Sequence, residues 1–191
     1  MRIVRVLLVA ILVCATSSLV SAQSFYKNLQ VINMGLGIGG HYTYYSSFSS
    51  ASPAIGISYE KGFHDDWGPG VIGIGGYIGT KSHTYKGTTS DGRLDYKWRN
   101  TIIGARGTYH YNPFDVSELD LYGGLGLSYH LTTIKDRSDY VVSDRPLRSS
   151  PDYVDMSLFL GGRYYFNSDW AGFMELGYGI SAVTIGASYQ F

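Results

Sequence analysis

The sequence predicts an all-β fold: eight antiparallel strands in an up-and-down meander, closed into a transmembrane β-barrel. Three observations predict it. The last ten residues alternate, with Val183, Ile185, Ala187, Tyr189 and Phe191 separated by small or polar residues; that is the period of a strand with one oily and one wet face. Ten residues at a tilt are about what a strand needs to cross the hydrocarbon of a bilayer. Seven further segments repeat the pattern, and an even count is what bacterial outer-membrane barrels use.

The N-terminus reads as an address. Arg2 and Arg5 supply a positive region, Val6 to Ala15 are all apolar, and a small-x-small site ends at Ala22. This predicts a secretory signal peptide over 1–22, removed to leave 23–191 as one barrel domain. The apolar run is too short for a spanning helix, which needs about 20 residues. Cys14 is the only cysteine and lies inside that segment, so no disulfide or cysteine-based metal site is expected in the mature chain. Removing Arg2 and Arg5 leaves 13 basic against 15 acidic residues, a net charge of −2. That balance argues against a nucleic-acid partner.

The segments follow in order. Val31 to Tyr45 sets Ile32, Met34, Leu36 and Ile38 against Asn33, Gly35, Gly37, Gly39 and His41. Ala54 to Phe63 sets Ile55, Ile57, Tyr59 and Phe63 against Gly56, Ser58, Glu60 and Gly62. Val71 to Lys86 opposes Ile72, Ile74 and Ile78 to Gly73, Gly75, Tyr77 and Lys81. Tyr96 to Tyr111 is the least regular, because Ile102 falls on the polar face with Arg106, Thr108 and His110. Leu119 to Lys135 is the cleanest: Leu119, Leu121, Leu125, Leu127, Tyr129 and Leu131 oppose Asp120, Tyr122, Gly124, Gly126, Ser128 and His130. Tyr153 to Phe166 and Ala171 to Ile180 complete the set, with Ile180 assigned to the apolar face.

The connections alternate in character. Those after the second, fourth and sixth segments are short and rich in Asp, Asn, Pro and Gly. Gly87 to Asp95 and Asp136 to Asp152 are predicted as longer loops. Short turns at one rim and long loops at the other fit a barrel whose short turns face the periplasm. Phe63, Trp67, Tyr109, Tyr111, Phe114, Phe166, Trp170 and Phe191 are expected to form an aromatic girdle at the short-turn rim. Tyr42, Tyr44, Tyr45, Tyr85, Tyr96, Trp98 and Tyr153 are expected to form the other. A soluble barrel would need charges on its outward face. Here the polar face is mostly glycine, serine and threonine, which suits a narrow interior better than a wetted surface.

The signal segment, the eight alternating strands and the terminal run from Thr184 to Phe191 together resemble the small outer-membrane β-barrels of the OmpA- and OmpX-like type. The peptidoglycan-binding domain of full-length OmpA-like proteins is not expected here, since the sequence stops at Phe191. The resemblance implies a non-enzymatic, porin-like integral protein of a Gram-negative outer membrane. It also implies outer-membrane lipids and lipopolysaccharide as surroundings, and periplasmic chaperones and the barrel assembly machinery as partners in biogenesis. Tyr189 and Phe191 would be the C-terminal signal that the machinery reads.

Within the predicted interior, Glu60, Arg106, Arg163 and Glu175 are expected in one layer of the periplasmic half, with Asp120 and Asp155 as further candidates. Charges in a narrow lumen must pair to offset lost solvation, and two Glu balance two Arg. Arg163 and Glu175 are expected nearly opposite across the hairpin at Asn167–Trp170. Such a layer would plug the lumen, leaving a structural, narrow-pore or surface-interaction role. The alternatives are a lipid A deacylase- or acyltransferase-like enzyme, or an adhesin acting through the loop 136–152. For the first, Ser128, His130 and Asp120 share a face, but two residues along a strand span about 6.6 Å, too far for a nucleophile–base hydrogen bond without favourable side-chain reach. The histidines 41, 64, 83, 110 and 130 show no ligand spacing, so no metal and no cofactor is expected. Gly35-x-Gly37-x-Gly39-Gly40 lies within a strand and opens no helix, so it is no dinucleotide loop.

Overall fold

The computed structural model describes residues 25–40, 50–65, 68–89, 92–114, 116–138 and 152–191. Through them run eight long strands: β1 (Gln30–Ile38), β2 (Ala54–His64), β3 (Val71–Thr89), β4 (Gly92–His110), β5 (Leu119–Asp136), β6 (Tyr153–Tyr165), β7 (Trp170–Tyr178) and β8 (Val183–Gln190). Each pairs antiparallel with its neighbours in sequence. β8 returns to β1, with Gln190 opposite Val31 and Val183 opposite Ile38. The sheet therefore closes and leaves no free edge along its seam. A two-residue strand, Ser50–Ala51, adds onto β3 at Thr84 and His83.

Alternation decides the faces. On β6, Val154, Met156, Leu158, Leu160 and Tyr164 point outward and are all more than half exposed. They span ten residue steps, about 33 Å along a strand, or about 25 Å in height at the usual tilt, which is the height of a lipid-facing band. Met34, Leu36, Ile55, Ile103, Leu125, Leu127, Met174, Leu176 and Ile185 continue the band around the barrel. An apolar exterior this continuous is unsuited to water and suited to acyl chains. Inside, glycines make room for rings: a Cβ on Gly161 would lie 2.5 Å from Tyr122 Cζ, and one on Gly124 2.6 Å from Phe159 Cζ.

Several expectations need correction. β1 stops at Ile38 because Gly39 and Gly40 take positive φ values of 70° and 99°, a left-handed backbone that ends a strand. The predicted loop Gly87 to Asp95 is largely paired sheet, with Lys86 opposite Asp95 and Thr89 opposite Gly92. Polar alternation in a water-exposed hairpin looks like a loop in sequence. As a result β3, β4 and β5 project well past β1 and β8. Tyr85, Tyr96, Trp98 and Tyr153 do not form a lipid-facing girdle, since their strand parity turns them inward, where Tyr153 stacks on His130 at 4.5 Å. At the short-turn rim, by contrast, Phe63, Tyr109, Tyr111, Phe114, Phe166, Trp170 and Phe191 are all exposed. Ile180 lies beyond β7 and lines the lumen rather than the lipid face. The segment 1–22, Tyr42, Tyr44, Tyr45, Trp67 and most of the loop 136–152 lie outside the described residues.

Candidate functional site

The interior charge set is built by inward positions near the short-turn ends of the strands. β2 contributes Glu60, β4 contributes Arg106 and His110, β5 contributes Asp120, β6 contributes Arg163 and β7 contributes Glu175. Arg163 is wholly buried. It donates from Nη2 to Glu60 Oε2 and from Nη1 to Asp120 Oδ2, both at 2.7 Å. The remaining carboxylate oxygens meet His110: Asp120 Oδ1 lies 2.7 Å from Nδ1 and Glu60 Oε1 lies 2.6 Å from Nε2. The four side chains close a ring. With a proton on each ring nitrogen, His110 donates to both carboxylates as the imidazolium, and two cations then balance two anions across the lumen.

Supports surround the ring. Arg163 Nε donates to Asn33 Oδ1 at 3.2 Å, Ser188 Oγ donates to the same oxygen at 2.6 Å, and Asn33 Nδ2 donates to Ser58 Oγ at 2.9 Å. Thr108 Oγ1 donates to Glu60. The Arg163 guanidinium lies over the Tyr122 ring at 4.5 Å. Each of the three nitrogens of this arginine therefore donates to an acceptor, which is how a fully desolvated charge is offset.

A second pair sits beside the ring. Arg106 Nη2 donates to Glu175 Oε1 at 2.6 Å, and the Tyr122 hydroxyl donates to the same oxygen at 2.9 Å. The Arg106 guanidinium packs over Phe159 at 4.2 Å. Above this pair is a cavity of about 120 Å³ lined by Ser58, Ile102, Arg106, Ser128, Glu175 and Ile180, among others. Ile102 is the residue that broke the alternation in sequence; it points inward and is buried.

The four predicted residues thus fall into two units. Glu60 and Arg163 meet in one, Arg106 and Glu175 in the other. Arg163 and Glu175 do not pair: the register sets Arg163 opposite Phe173 and Glu175 opposite Gly161. Asp120 joins the ring, whereas Asp155 lies further along β6, opposite Ser128. Sequence reasoning missed His110, although its inward parity on β4 carried the signal. It also missed the segment before β1. There Phe25 stacks on His110 at 3.7 Å, and Phe25, Leu29 and Val31 form a buried cluster against Val71. The backbone of this segment is tied to β2, where Asn28 N donates to Gly62 O and Gly62 N donates to Leu29 O, each at 2.9 Å. The mouth of the barrel at the short-turn rim is capped by the segment from Phe25 to Leu29.

Side-chain reach closes the gap that strand rise alone leaves between Ser128 and His130. Ser128 Oγ and His130 Nε2 lie 3.1 Å apart, because both side chains bend toward each other along the inward face. They lie on the inward face of β5, where Ser128 lines the lumen cavity.

No curated protein matches the sequence. Among solved structures, the outer membrane protein OprG from Pseudomonas aeruginosa is similar at 17% identity over 89% of this chain and 99% of that one, with a TM-score of 0.57. That is a likeness of fold. Ail, the attachment invasion locus protein of Yersinia pestis, matches at 13% identity over 86% of this chain and 99% of that one, with a TM-score of 0.48, too low to support any argument. The family described as outer membrane protein beta-barrel domain matches residues 7–191, nearly the whole length, and the chain belongs to it.

Proposed function

We propose that the protein is a non-enzymatic outer-membrane barrel with a closed lumen, which acts as a rigid wall element and carries the β3–β5 extension to the cell exterior as an interaction platform. The observation that carries this reading is the closed ring of Glu60, Arg163, Asp120 and His110 under the Phe25 cap. An eight-stranded interior is just wide enough for side chains to fill, and here a charge-neutral ring fills it. Planar-bilayer recording tests the claim. Wild-type protein should show no channel steps, and the double variant F25A/R163A should show them. Steady wild-type channels would overturn it.

In this reading 1–22 directs export and is cleaved after Ala22, and chaperones deliver the chain to the assembly machinery. Tyr189 and Phe191 present the assembly signal; both side chains face outward. Phe191→Ser should then lower the yield of heat-modifiable barrel in membranes without changing synthesis. The short turns face the periplasm, so an epitope placed between Thr89 and Gly92 should react with antibody on intact cells. The loop 136–152, whose described ends Asp136 and Asp152 lie on the side of the barrel opposite the short turns, would be a second surface for a partner. The inward position of Ser128 and His130 counts against the lipid-modifying alternative, because lipid esters sit on the other side of the wall.

A further inference from the structure

The outward face of the β3–β5 extension carries a cluster of cations that the lumen does not use. Lys97 of β4 and Lys135 of β5 are direct cross-strand partners. Arg99, two residues along on the same face, stands between Ser82 of β3 and Thr133 of β5. None of the three forms a salt bridge with a described residue. The one acid on this face of β4 is Asp95, which is opposite Lys86. Like charges directly opposite in a sheet destabilise it, so nothing in the fold accounts for the lysine pair.

Its height is informative. Lys135 lies four residues beyond Leu131, the last apolar outward residue of β5. That is about 13 Å along the strand and about 10 Å in height at the usual tilt. The headgroup layer begins at the end of the hydrocarbon and is roughly 5–8 Å deep for a phospholipid; long basic side chains reach back toward it. Ser82, Thr84 and Thr133 place hydroxyls around the cations, which suits a phosphate.

We infer that Lys97, Arg99 and Lys135 form a binding site for the phosphate groups of a phosphorylated glycolipid, of the lipopolysaccharide class, in the outer leaflet. The inference rests on the orientation proposed above. The lipid phosphates fill the gap between the two ammonium groups and remove their repulsion. The site therefore costs stability in the absence of lipid and contributes it in its presence.

The test uses the full mature barrel reconstituted with lipopolysaccharide, with enzymatically dephosphorylated lipopolysaccharide, or with inorganic phosphate. At roughly fivefold per cation, the variant K97Q/R99Q/K135Q should bind phosphorylated lipopolysaccharide about a hundredfold more weakly, and the difference should vanish with the dephosphorylated lipid. Lys135→Glu should bind weakly as well, yet unfold no earlier than wild type in a non-ionic detergent, a result that general misfolding would not produce. Affinity of the triple variant within twofold of wild type would overturn the site. Equal protection of wild type by millimolar inorganic phosphate would overturn the lipid as the source. The epitope between Thr89 and Gly92 separates the two layers of the argument. Staining only after the cells are permeabilised overturns the orientation and the outer-leaflet source with it. Staining on intact cells with unchanged affinity overturns the patch alone.

Discussion

Arg163 is the residue on which the interior turns. It is wholly buried and bonded to Glu60, Asp120 and Asn33, so its loss would strand two carboxylates away from water. Breaking a buried pair by removing one partner costs about 3–5 kcal/mol. Arg163→Ala should therefore lower the urea midpoint of the reconstituted barrel by a corresponding amount, while the triple change E60L/D120L/R163M should recover much of it. Phe25→Ala removes a ring stacked on His110 and should cost about 3 kcal/mol, read from the same unfolding curve. At the rim, the Asp65 carboxyl is held below its usual range by its hydrogen bond from Lys27 and by that ammonium's charge. A lowered carboxylate pKa means the tether is intact at neutral pH and is lost as pH falls through the acid range. The protection factors of the Asn28 and Leu29 amides, taken against the intrinsic rate at each pH, should accordingly fall on acidification, and Asp65→Asn should lower them at neutral pH.

At the scale of the strand, period-two alternation made the barrel legible. Both the lipid face and the inward parity of Glu60, Arg106, Arg163 and Glu175 follow from counting by twos. Which charges meet does not follow, because Arg163 reaches across the lumen to β2 and along its neighbour to β5, and such distances depend on closure. Asp120 and His110 had the right parity but no local sign that they would join Glu60 and Arg163 in one ring. The hairpin at 87–95 was hidden for a different reason: a strand wet on both faces carries no hydrophobic period. Phe25 to Leu29 had no period at all, only a destination set by the open end of the barrel. The inward glycines belong to this scale too. Gly161→Val would push Tyr122 off its place over Arg163 and away from Glu175, and overpacking of this kind costs about 1–3 kcal/mol. A fall in thermal midpoint with the fold retained by circular dichroism is the expected result.

At the scale of the whole molecule, an oily exterior, a neutral interior and one long wet edge divide the work among three surfaces. In the function proposed above, the wall meets lipid, the ring blocks passage, and the extension on β3–β5 meets whatever lies outside. The seam between β1 and β8 joins residues 145 to 159 positions apart, from Ile38 with Val183 to Val31 with Gln190. No shorter piece of the chain supplies that pairing. Every partial meander has two open edges, each a template for another copy, and its charged interior has no complete ring: Glu60 enters from β2 and Arg163 from β6. Sealing the wall and neutralising the interior are therefore one event, and the barrel has no stable half-built form to stop at.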